Sequence, residues 1–139
     1  MTGDELVRSY VDKATLRLDV LALLFEREGY SDVVREAQEI VELLLKAALR
    51  LMGIDPPRIH DVGPVLLTHR TTFPTWFADG ADRLAEISAW LRKERELALY
   101  GDTDAIPTKL YGVEHATRAI DDARTVFDAV SRLLAERAS

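Results

Sequence analysis

Val113-Glu114-His115-Ala116-Thr117-Arg118-Ala119-Ile120-Asp121-Asp122-Ala123-Arg124-Thr125-Val126-Phe127-Asp128-Ala129-Val130-Ser131-Arg132-Leu133-Leu134 decides the fold class. Val113, Ala116, Ile120, Ala123, Phe127, Val130 and Leu134 recur at alternating spacings of three and four, which only an α-helix gathers onto one face. The same period runs through Val7, Val11, Ala14, Leu18, Leu21 and Phe25, and through Val34, Ala37, Val41, Leu44, Ala48 and Leu51. A fourth helix carries Leu84, Ile87, Trp90, Leu91 and Ala98. No run alternates apolar and polar residues between turn signals, so no strand is expected. The sequence therefore predicts an all-α, antiparallel four-helix bundle with an extra short helix, built as a single domain over residues 1–139.

Chain punctuation supplies the expected boundaries. Thr2-Gly3-Asp4-Glu5 has the spacing of a capping box, and Gly29 suits a left-handed helix end. Ser31 is placed to cap the second helix, which should end near Gly53. Its apolar stripe leaves Arg35, Glu39, Glu42, Lys46 and Arg50 on an opposite face expected to be solvated. Asp55-Pro56-Pro57 stops the helix, and a short helix is expected between Asp61 and His69, with Asp61 as its cap and Pro64 in its first turn. Asp79 could cap the next long helix, and residues 101–108 read as a polar connector. Leu16, Val20, Ala22 and Leu23 widen the apolar surface of the first helix, and Phe73, Trp76 and Phe77 cluster in a connector. Both features suit either an interface between copies or, for the aromatics, a lid on the chain's own core.

The chain holds 24 Asp and Glu against 18 Lys and Arg, a net charge of −6. That balance argues against broad duplex DNA binding and gives no support to an anionic membrane surface. No segment approaches about 18 consecutive apolar residues. The opening Met1-Thr2-Gly3-Asp4-Glu5 is acidic where a secretion signal is basic, and the chain has no cysteine. The expected compartment is the cytoplasm.

Absence of cysteine excludes thiolate zinc, iron–sulfur clusters and a cysteine nucleophile. The three histidines, His60, His69 and His115, lie too far apart in sequence to share a helical face, and neither His69 nor His115 follows a Glu at the di-iron spacing. No metal site and no cofactor are expected. Phosphate-cradling glycine loops and a serine nucleophile elbow are also missing.

What remains is Leu91-Arg92-Lys93-Glu94-Arg95-Glu96-Leu97-Ala98-Leu99-Tyr100-Gly101-Asp102. Arg92 and Arg95 share a side of this helix, with Tyr100 near its end. Guanidiniums and a phenol at a helix terminus can hold a phosphate or stack a base. An exposed mixed-charge helix is the plainer alternative, since Glu94 and Glu96 interleave the cations.

Three stretches resemble the HEPN domain family. They are Ala37 to Leu49 with its Glu42-x-x-x-Lys46-Ala47 core, the Pro57-Arg58-Ile59-His60-Asp61-Val62 step, and Arg92 to Asp102 followed by a small-residue helix. The resemblance implies a helical bundle, commonly a homodimer. It also implies either a metal-independent ribonuclease of the toxin–antitoxin kind or an accessory partner of a separate minimal nucleotidyltransferase. Cleaving members carry Arg-x4-6-His. Here the arginine maps to Arg95, while the histidine places fall on Tyr100, Gly101 and Asp102. An unshifted phenol, with a pKa of about 10 against about 6.5 for imidazole, is a poor proton shuttle near neutral pH.

The expectation is therefore a non-catalytic or weakly catalytic protein that binds nucleotide, phosphate or RNA. Arg92, Arg95, Tyr100, Asp102 and His60 are its candidate binding residues, and Arg95 and Tyr100 the candidate catalytic pair. Whether the chain is an enzyme stays open, with the balance against it; any activity would be metal-independent RNA cleavage. A helical interaction module without a ligand site is the remaining alternative. His60 is expected to bond a loop carbonyl unless the fold brings it to Arg95.

Overall fold

The computed structural model describes residues 3–138, so Thr2 and its capping box lie outside the described residues. Four long helices form the bundle: α1 (Gly3–Glu26), α2 (Tyr30–Leu51), α5 (Ala81–Leu99) and α7 (Val113–Ala138). Three short ones lie in the connections: α3 (Gly63–Thr68), α4 (Thr75–Asp79) and α6 (Pro107–Leu110). A 3-10 turn at Arg70–Thr72 precedes α4. The described residues hold no strand, only one isolated bridge between Asp102 and Ala105.

α2 is the axis of the molecule, with α1, α5 and α7 packed around it. This explains why Val33, Leu45, Ala47 and Leu49 are as buried as the stripe from Val34 to Leu51. The side of α2 that carries Arg35, Glu39, Glu42, Lys46 and Arg50 is half-buried, which corrects the expected solvated face. With neighbours on three sides, little of this helix is left to water.

Several boundary residues play other roles than their types suggest. Glu28, not Gly29, takes the left-handed conformation (φ 61°) after α1. The amides of Glu28 and Gly29 return to Phe25 O and Leu24 O at 3.0 and 2.8 Å, so the turn closes on α1's last carbonyls. Gly29 becomes the N-cap of α2, and Ser31 is buried at the second position of the helix without capping. Asp79 ends α4, and Gly80 occupies the cap of α5. Val62 is the N-cap residue of α3, while Asp61 Oδ1 accepts from the Gly63 amide at 3.2 Å and from Ser88 Oγ at 2.8 Å. Asp61 thus ties the connector to α5 from one residue before the expected position. At Gly63 a Cβ would sit 3.0–3.1 Å from Ala85, so glycine is what lets α3 press onto α5.

The aromatic connector folds back on the core. Phe73 and Phe77 stack at 4.5 Å and are buried, and Trp76 Nε1 donates to Glu136 under the guanidinium of Arg132. Leu16 (67% exposed), Val20 (37%) and Leu23 (50%) instead form an uncovered strip on α1. On α7 the buried line is Ala116, Ala119, Ala123, Val126, Val130 and Leu133, with Val113 at the edge and exposed. Asp122 joins it as a buried carboxylate, held by Arg83 of α5 at 2.9 Å, and burial raises its pKa against the pull of Arg83 and Arg118.

Candidate functional site

A cleft of about 350 Å³ opens where α1, α2 and α5 meet, below the connector that follows α2. Its walls are Tyr10, Lys13 and Arg17 from α1; Gln38, Glu39, Glu42, Leu43 and Lys46 from α2; His60 from the connector; and Arg95 from α5. Helical spacing explains the convergence. Tyr10, Lys13 and Arg17 follow one another at three and four residues on α1, and Gln38, Glu42 and Lys46 do so at four on α2. The two helices run antiparallel through a tight turn, so Arg17 lies beside Glu36 and Glu39 while Tyr10 lies seven residues away, about 10 Å along the axis.

At the Arg17 end, three guanidiniums surround one carboxylate. Arg17, Arg35 and Arg95 stand 3.7, 3.7 and 3.6 Å from the oxygens of Glu39. A committed N–H···O bond spans roughly 2.7–3.2 Å, so these donors are gathered rather than spent. Nε of Arg35 and of Arg95 are buried with no hydrogen-bond partner among the described residues. Glu36 completes the cluster from a nearly buried position, 3.7 Å from Arg17 and 3.5 Å from Arg35. Burial raises its pKa; Arg17 and Arg35 pull the other way, and Glu39 adds to the rise.

The middle of the cleft is organised by Glu42. Its carboxylate accepts from Gln38 Nε2 at 3.0 Å and Lys46 Nζ at 3.1 Å, and meets His60 Nδ1 at 2.9 Å. Burial alone would push the Glu42 pKa up; the bonds from Gln38, His60 and Lys46 outweigh it and hold the pKa below its ordinary value. Overall the walls carry Lys13, Arg17, Lys46 and Arg95 against Glu39 and Glu42, a local cationic excess in an acidic chain.

Among the residues singled out in the sequence, the fold brings Arg95 and His60 to this one cleft. His60 pairs with the Glu42 carboxylate and not with a loop carbonyl, because the connector folds back over the centre of α2. Tyr100 is the C-cap of α5, 78% exposed, and does not line the cleft. Gly101 then turns the chain at φ 68°, and Asp102 bridges to Ala105 and caps Thr103 N at 2.7 Å. Arg92 lies along α5 near Glu96, also outside the cleft walls. Tyr10, Lys13, Arg17 and Gln38 were not singled out in the sequence. Their signal is the second, polar stripe flanking the apolar stripe of α1, and the chain's one side-chain amide, set between Ala37 and Glu39 on α2. Among the described residues, no group of three or more His, Cys, Asp or Glu is placed to hold a metal ion. No described helix is long and apolar enough to cross a membrane.

Tyr111 holds the last turns of α5 in register. Its buried hydroxyl donates to Glu94 Oε2 at 2.7 Å, next in sequence to Arg95, and burial together with that carboxylate pushes the phenol pKa far up.

The all-α bundle agrees with the family comparison. The family model for the HEPN domain matches residues 7–133, and the chain belongs to that family. No curated protein and no solved structure matches it.

Proposed function

We propose that this HEPN-domain chain binds a phosphate-bearing nucleotide or RNA in the α1–α2–α5 cleft. In this reading it is a non-catalytic or weakly catalytic protein that works beside a separate nucleotidyltransferase. The observation that carries the proposal is the convergence of Arg17, Arg35 and Arg95 on Glu39 at 3.6–3.7 Å. Guanidiniums match phosphate oxygens in planar, bidentate fashion, and donors held in place without being consumed are pre-organised for such a ligand. Lys13 and Lys46 extend the positive wall. The working unit is a homodimer, and the exposed Leu16–Val20–Leu23 strip supports that part of the proposal. Calorimetric titration with ATP and with inorganic pyrophosphate tests the ligand: both should bind, and Arg17→Ala and Arg95→Ala should each weaken binding tenfold or more. Failure of both ligands to bind, or equal affinity in the variants, would remove the reading.

A second reading, metal-independent RNA cleavage, is favoured by one observation. His60 stands in the same cleft as Arg95 with Nδ1 on the Glu42 carboxylate, an arrangement that turns Nε2 outward as a proton acceptor. Digestion of a labelled single-stranded RNA by the purified chain, lost in His60→Gln and Arg95→Ala, would establish it. Intact RNA after prolonged incubation would leave the binding role alone.

A further inference from the structure

Glu39 stands where a phosphate held by the cleft's arginines would have to sit. Its Oε2 faces Arg17 of α1 and Arg35 of α2, both at 3.7 Å, and its Oε1 faces Arg95 of α5 at 3.6 Å. Glu39, Arg17 and Arg95 all line the cleft. One carboxylate thus spans the two guanidiniums on which the proposed binding role depends. At these distances it balances their charge without making a close hydrogen bond to either. Nε of Arg35 and of Arg95, buried and without a hydrogen-bond partner among the described residues, show the same shortfall of acceptors. The Glu39 side chain is 27% exposed, so solvent is open to it when it swings aside. Glu36, the other carboxylate of the cluster, is nearly buried and lies outside the cleft walls.

We infer that Glu39 is a resident counter-ion that the ligand displaces, and that this displacement makes the cleft select linked phosphates over single phosphodiesters. The inference rests on the binding role proposed above and adds a selection rule to it. A phosphodiester carries one negative charge, as the carboxylate does. Exchanging one for the other returns the Coulomb attraction already present and gains little. A pyrophosphate group brings several charges and offers oxygens on two phosphorus atoms, one set to Arg17 and one to Arg95. It also supplies the close, paired N–H···O geometry that Glu39 does not reach from 3.6–3.7 Å. That surplus offsets the release of Glu39 to water.

Calorimetric titration with pyrophosphate and with dimethyl phosphate at neutral pH tests this. Wild-type protein should bind pyrophosphate more tightly than dimethyl phosphate by about tenfold or more, and Glu39→Gln should gain about tenfold for pyrophosphate. Glu36→Gln makes the same change of charge outside the cleft walls, and should gain no more than about threefold. In the wild type, the side-chain carboxyl 13C resonance of Glu39 should move saturably with pyrophosphate. Unchanged or weaker affinity in Glu39→Gln, an equal gain in Glu36→Gln, or a Glu39 resonance that stays still at saturation would overturn the displacement. Equal affinities for the two ligands in the wild type would overturn the selectivity. In each of these cases, arginine-dependent binding by the wild type would keep the cleft's role. No binding of pyrophosphate to the wild type or to Glu39→Gln would overturn both.

Discussion

His60 Nδ1 lies 2.9 Å from Glu42 Oε1, which fastens the connector after α2 to the centre of the bundle across 18 residues of chain. Because a carboxylate only accepts, a neutral imidazole there carries its proton on Nδ1 and presents Nε2 outward. Glu42 therefore sets three side chains at once: the imidazole, the Gln38 amide and the Lys46 ammonium. Its own pKa follows from the same contacts.

Stability should depend on acid through Glu42 with a definite sign. Its folded pKa lies below the ordinary 4.5, so the unfolded chain binds its proton first as pH falls. The stabilisation is complete above about 4.5 and is lost as pH drops through the folded value. Urea midpoints measured across this range should fall more steeply in the wild type than in Glu42→Gln. Glu36 acts in the opposite sense, its raised pKa making ionisation costly as pH climbs past 4.5, and taking the difference between the two proteins cancels it.

Arg95→Ala should separate function from fold. The ion pair with Glu39 is long and partly exposed, and Arg17 and Arg35 remain to neutralise that carboxylate. Loss of stability should stay within about 1 kcal/mol by urea titration, while ATP affinity falls at least tenfold. A folded variant with unchanged affinity would remove Arg95 from the site.

Gly101→Ala should be damaging. Glycine there adopts φ 68°, and an added Cβ would meet Ala105 O at 2.2 Å and Pro107 Cδ at 2.5 Å. The expected cost is about 2 kcal/mol or more, read as a lowered urea midpoint. Tyr100→Phe next to it alters only an exposed side chain, and should change neither stability nor ATP affinity measurably.

Tyr111→Phe removes the bond to Glu94 and leaves a carboxylate without its donor beside Arg95. About 1–2 kcal/mol of stability should be lost, with a smaller loss of ATP affinity as the last turns of α5 loosen.

The helices were legible because period reports burial directly: Val7, Ala14 and Leu21 on α1, and Ala116, Ala123 and Val130 on α7, are buried as their spacing requires. Caps were less legible. Ser31 and Asp79 have the right side chains, yet the turn after α1 closes through Glu28, and α4 runs up to Gly80. The cleft was half visible. Arg95 and His60 stood out as residue types, but their meeting depends on the connector's path, which no local pattern encodes. Lys13 and Arg17 drew no assignment, because a polar stripe on one helix says nothing of the helix that will face it. Tyr100, one of three positions the resemblance sets against the histidine of cleaving members, is carried away from the cleft by the end of α5.

Arginine Nε–H resonances of the 15N-labelled protein, followed during titration with ATP, test the cleft most directly. Arg17 and Arg95 should shift saturably and together while Arg92, one turn away on α5, stays still. Shifts confined to Arg92 and the Tyr100 region, with Arg17 and Arg95 silent, would place any ligand elsewhere and contradict the cleft's assignment.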